Sequence, residues 1–96
     1  MQRIGIDPVP RFPLGEMIIT PGVASKLGMV DVKLAIAKHA SGDWGELEAE
    51  DRRLNNERLA NGGTLFSIFK TAAGVKFYVM TEAERDRTTV LLPEEY

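Results

Sequence analysis

The feature that most constrains this chain is a change of hydrophobic period at Asn61-Gly62-Gly63. Before that point apolar residues recur at about 3.6 residues, as on one face of a helix; after it they alternate, as on a pleated strand. Helices and a sheet that each bury a single face must pack on one another. The expected fold is therefore α+β: an N-terminal short strand and three helices packed on a C-terminal three-stranded antiparallel meander.

Local signals place the elements. Met17-Ile18-Ile19 reads as a short strand between Gly15-Glu16 and Thr20-Pro21-Gly22. Thr20 is a hydroxyl N-cap with proline at the next position, so a brief helix follows, carrying Val23, Ala24 and Leu27 on one face and closed by Gly28. A second helix is expected over residues 31–40, capped by Asp31, with Lys38 and His39 in its last turn where positive charge suits the macrodipole. A third, more polar helix is expected over 46–60, with Asp43 and Glu46 spaced as a capping box, or starting a turn later at Glu48. Residues 64–71 and 75–81 alternate around Ala72-Ala73-Gly74, which suits a hairpin loop. Thr81-Glu82-Ala83-Glu84 suggests one helical turn through Asp86, and 88–92 a last strand stopped by Pro93. Residues 1–14 hold Pro8, Pro10 and Pro13 and read as an extended arm; residues 15–96 form the single domain.

Composition narrows the chemistry. With 96 residues the chain makes one domain, and with no cysteine it has no disulfide, thiolate zinc site or cysteine nucleophile. Twelve basic residues against 14 acidic ones leave a net charge of −2, neither the basic balance of a phosphate-gripping protein nor the acidity of a nucleic-acid mimic. The first residues lack the apolar stretch of a secretion signal, and no run approaches the roughly 20 apolar residues of a membrane span. The expectation is a cytoplasmic protein with no membrane partner.

The stretch His39-Ala-Ser-Gly-Asp-Trp-Gly-Glu-Leu47 joins the second and third helices and holds the chain's one histidine and one tryptophan. Downstream, Asp51 and Asn55 interrupt the apolar stripe of the third helix at i,i+4 spacing. His39, Asp43, Trp44, Glu46, Asp51 and Asn55 are thus the candidate functional patch: a histidine base oriented by Asp43 or Asp51, with Trp44 as a wall. The structural reading outweighs it: His39 caps the C-terminus of the second helix, Asp43 the N-terminus of the third, and Trp44 plugs the hinge between them. Glu46, Glu48, Glu50 and Asp51 do not converge well enough to predict a metal site, and no cofactor motif is present. Arg52 and Arg58 on the third helix, with Arg85 and Arg87 in the last connection, are candidate anion or partner contacts. Were one sheet face left uncovered, Leu65, Phe69, Tyr78 and Met80 would offer an apolar patch to a partner.

Two strings carry a resemblance: the stretch from His39 to Leu47 with Glu50-Asp51-Arg52 and Asn55, and Thr81-Glu-Ala-Glu-Arg85 with Thr88-Thr-Val-Leu-Leu-Pro-Glu-Glu-Tyr96. Together with Phe12-Pro-Leu-Gly15 and Thr20-Pro-Gly22, they resemble a family of small proteins of plasmids, prophages and integrated elements. Members are often labelled plasmid-related proteins or, loosely, type I restriction enzyme M subunits. The chain has neither the glycine-rich cofactor loop nor the doubly wound sheet of a methyltransferase, so the label points to genomic neighbourhood. The family lends no activity to particular residues, but that neighbourhood, together with small size, balanced charge and the lack of a catalytic motif, leads to the expectation of a non-enzymatic accessory protein that binds a protein partner, of the anti-restriction or anti-CRISPR kind. Two alternatives stand beside it: a small enzyme using His39, Asp43 and Asp51, and a weak nucleic-acid binder using the third-helix arginines. A homodimer through a strand edge or the proline-rich arm is compatible with the residues.

Overall fold

The structure is a computed structural model that describes residues 10–96; most of the proline-rich arm lies outside the described residues. It is an α+β fold in the order β1 (Glu16–Ile19), α1 (Pro21–Lys26), α2 (Met29–Ala40), α3 (Ala49–Asn61), β2 (Leu65–Lys70), β3 (Lys76–Thr81), β4 (Arg87–Leu91) and a closing 3₁₀ turn (Pro93–Glu95). β2, β3 and β4 form the expected antiparallel meander. β1 adds a fourth strand beside β4 and parallel to it, so the sheet is mixed, in the order β1-β4-β3-β2. The helices and the β2–β3 hairpin make the long connection that a parallel pair requires.

The short-range signals act as their chemistry dictates. The Thr20 hydroxyl accepts the Val23 amide at the start of α1. Glu95 reinforces that corner from the far end of the chain, accepting the Thr20 hydroxyl and the Gly22 and Leu92 amides. These bonds hold its carboxyl below the usual range, the Thr20 hydroxyl contributing most. α2 begins two residues before the expected Asp31 cap, because the Gly28 carbonyl takes the Val32 amide.

The departure at the hinge comes from the pairing of β2's outer edge. Trp44 and Glu46 flank Gly45 in a short extended stretch that pairs with Ile68. The Ile68 amide donates to the Trp44 carbonyl at 3.2 Å, and the Glu46 amide to the Ile68 carbonyl at 2.7 Å. Residues held this way cannot start a helix, so α3 takes the later of its two expected starts, with Glu48 as N-cap and Ala49 as first helical residue, and Asp43 accepts the nearby Gly45 amide. The stretch after Thr81 is likewise a tight β3–β4 turn and not a helical one. Arg85 sits there at a φ of 62°, held by its own side chain on nearby carbonyls.

Register decides the two faces of the sheet. Leu65 pairs with Thr81, Ser67 with Val79 and Phe69 with Phe77, and all point to one side. There α1 and α2 cover them, with Val23, Leu27, Val32 and Ala35 packed against Phe69, Phe77, Val79 and Val90. A second cluster of Phe12, Trp44, Leu47 and Leu65 fills the junction of the arm, the hinge and β2. Phe66, Ile68, Tyr78 and Met80 occupy the opposite side and are only half-buried. Leu65 and Phe69 are therefore core residues, and the open face carries Phe66 and Ile68 in their place.

Glycine is required where β2 meets the hinge. Gly45 has a φ of 73°, and a Cβ there would stand 2.0 Å from the Ile68 carbonyl oxygen. Gly45→Ala should cost about 2 kcal/mol, a left-handed penalty with main-chain displacement added. Urea unfolding measures it; a loss below about half that would mean the hinge does not depend on this approach.

Candidate functional site

His39 ends α2 facing the sheet and is fully buried. Its Nδ1 lies 2.6 Å from the Ser67 hydroxyl and its Nε2 2.9 Å from the Thr81 hydroxyl. Thr81 in turn lies 2.7 Å from the Thr88 hydroxyl, which reaches the Leu14 carbonyl at 2.7 Å. A carbonyl only accepts, and this fixes every proton in the chain. Thr88 donates to Leu14, Thr81 donates to Thr88, and His39 Nε2–H donates to Thr81. Nδ1 is left as the acceptor for Ser67. Burial pushes the imidazole down to about 3, with the Arg85 guanidinium adding repulsion, so His39 is neutral.

The remaining candidates separate into two groups. Trp44 is buried, with its ring 5.5 Å from that of His39 and stacked on Phe12, and its indole N–H donates to Asn56. Asp43 is exposed and holds the Gly45 amide at 3.0 Å. Glu46 is exposed, 3.8 Å from the Lys70 ammonium. None of these carboxylates bonds to His39. Asn55, in contrast, is buried in α3 and turns its carboxamide onto β2: Nδ2 donates to the Phe66 carbonyl at 2.6 Å, and Oδ1 accepts the Phe66 amide at 3.4 Å. Asn55 thus imitates a peptide group at the sheet edge, next to the backbone pairing made by Trp44 and Glu46.

The arginines also divide. The Arg85 guanidinium is spent on carbonyls, taking those of Gly63, Glu82, Ala83 and Arg58, and so finishes the C-terminus of α3. Arg87 pairs with Glu82 at 3.4 Å. Arg53 bridges Glu50 and Glu57 on the outer face of α3, and the pair with Glu50 holds that carboxyl below its usual range. Arg52 and Arg58 form no ion pair among the described residues. Glu82, Glu84 and Asp86 bring their carboxylates within 4.8 Å of one another in the β3–β4 turn, whereas Glu46, Glu48, Glu50 and Asp51 form no such group.

What the structure does assemble is a groove of about 710 Å³ between α3 and the uncovered sheet face. Phe66, Ile68, Tyr78 and Met80 form its floor, Asp51, Asn55 and Arg58 one wall, and Tyr96 its far end. Phe66, Tyr78 and Tyr96 make an aromatic triangle with centroids 4.7 to 6.1 Å apart. No known protein family, curated protein or solved structure matches the chain. Asp51 and Asn55 do belong together on this groove, while His39, Trp44 and Asp43 lie at the hinge. Phe66, Ile68 and Tyr96 were missed at the level of sequence. The odd–even pattern of β2 marked the first two, since Leu65, Ser67 and Phe69 already filled the inward positions. Among the described residues no helix is long and apolar enough to cross a membrane.

Proposed function

We propose that this chain is a non-enzymatic accessory protein of a mobile genetic element that works by binding a host protein through the groove beside α3. In this reading it is an inhibitor of restriction or CRISPR immunity. The observation that carries it is the floor of the groove: half-buried Phe66, Ile68, Tyr78 and Met80 on a sheet face that no helix of the described chain covers. Tyrosine, phenylalanine, methionine and arginine are the residues that protein interfaces enrich, and all four occur here around one concavity. The enclosure of His39 supports a binding role over the enzymatic alternative, which needs that ring beside a carboxylate in an open cleft. The arginine alternative loses Arg53 to Glu50 and Glu57 and keeps Arg52 and Arg58, two basic groups on a helix that also carries Glu50, Asp51 and Glu57.

Expression of the chain in a restricting or CRISPR-immune host should raise the plating of susceptible phage. Met80→Glu places a charge on the groove floor and should return plating to the empty-vector level, because a buried unpaired carboxylate weakens association by about tenfold or more. Exposed Tyr96→Ala serves as a second variant that leaves the core intact. No effect of the wild-type chain would sink the inhibitor reading, and full activity of both folded variants would sink the groove.

A further inference from the structure

The charges of α3 are arranged differently on its two faces. Outward, Glu50, Arg53 and Glu57 form a paired row, one guanidinium shared by two carboxylates. Toward the groove, Asp51 and Arg58 stand at the two ends of the wall, and neither takes part in an ion pair among the described residues. Seven residues apart on a helix, they are separated by about 10 Å along its axis. Between them lie the Asn55 carboxamide, already committed to Phe66, and the aromatic floor.

From this arrangement, and resting on the groove as the binding site, we infer that the occupant is an amphipathic helix of the partner protein lying antiparallel to α3. It presents an acidic residue to Arg58 and, seven residues later, a basic residue to Asp51. Two observations select this occupant, and the electrostatics of such a helix agree with it. An extended peptide would need a free strand edge beside the groove, but there the outward groups of β2 are taken by Asn55 at Phe66 and by Trp44 and Glu46 at Ile68. The bare floor is the open layer of a sheet whose other face already carries α1 and α2, and a helix is what covers such a face. Finally, an acid in the first turn and a base in the last turn suit the partner helix's own macrodipole, while its seven-residue spacing repeats that of Asp51 and Arg58.

The test is selection of a phage-displayed library of helix-forming 16-residue peptides against the full chain. Expected binders have apolar residues at i, i+3, i+4 and i+7, with Glu or Asp placed seven residues before Lys or Arg. Binding of a selected peptide should fall with Met80→Glu, and in low salt should prefer that acid-then-base order over its reverse by roughly threefold to tenfold. The double variant D51K/R58E, altered only at exposed positions, should reverse the preference. Binders that ignore the charge reversal, or that alternate apolar and polar residues as a strand does, would overturn the inference while leaving the groove in place. An absence of binders, or binders indifferent to Met80→Glu, would remove the groove itself. Self-association of the chain abolished by Met80→Glu would make a second copy the occupant and overturn the helix.

Discussion

His39→Ala should destabilise the domain by about 4 kcal/mol, a large part of the roughly 5–15 kcal/mol that holds a protein of this size together. The imidazole is fully buried, so its loss opens a cavity under α2. It also strands the Ser67 hydroxyl and breaks the proton order that runs through Thr81 and Thr88 to the Leu14 carbonyl. That last link ties the arm to the sheet, so hydrogen exchange near Leu14 should rise along with the global loss. His39→Gln keeps one donor and one acceptor and should cost about half as much. A loss below about 1 kcal/mol for the alanine variant would show that the ring is a filler and not the keystone of the network.

The same residue gives the domain a pH dependence of known sign. Folded His39 titrates at about 3, below the 6.5 of an ordinary histidine, because burial and then Arg85 oppose the imidazolium. Unfolded chains therefore bind a proton that the native state refuses, and the contribution is complete above pH 6.5 and lost as pH falls toward about 3. The slope is about 1.4 kcal/mol per pH unit, so pH 5 should be roughly 2 kcal/mol less favourable than pH 7. Between pH 6.5 and 5 most carboxylates are still ionised, which isolates the histidine. His39→Gln should flatten that window, and nitrogen chemical shifts should report the Nε2–H tautomer. An equal slope in the variant would place the titration elsewhere.

What could be read from the residues alone was what is local. Thr20 before Pro21, the alternation on either side of Ala72-Ala73-Gly74, and the stop at Pro93 each act within a few positions, and each became the expected element. The expectation failed where a partner distant in sequence takes over. Glu46 was free to begin a helix until Ile68 claimed its amide. β1 looked like an isolated strand until β4 paired with it in parallel. His39 was visible as a polar group on an apolar face, but its partners lie on β2 and β3, 28 and 42 residues away. A trace of them was present: Ser67, Thr81 and Thr88 are small hydroxyl residues at inward positions of otherwise apolar strands, spaced to receive one polar side chain.

Asn55→Ala should cost about 3 kcal/mol, and its consequences separate the sheet edge from the groove. The lost carboxamide leaves the Phe66 amide and carbonyl without their partner at a site where Asn55 itself is 1 % exposed. An unsatisfied buried backbone group costs about 1–3 kcal/mol, and two are created at once. Asn55→Asp should be no better, since it keeps an acceptor for the amide but sets a carboxylate against the Phe66 carbonyl. Hydrogen exchange localises the effect: the Phe66 amide should lose protection, while the Ile68 amide, held by Trp44, should retain it. An edge left open in this way also invites pairing with another chain, so the variant should aggregate more readily than the wild type. Because the same carboxamide pins α3 to β2, Asn55→Ala should weaken groove binding and stability together. Asp51→Ala, on the same wall but exposed, should weaken binding alone. If Asn55→Ala leaves stability within about 0.5 kcal/mol of wild type, water has replaced the carboxamide and α3 is held by other contacts.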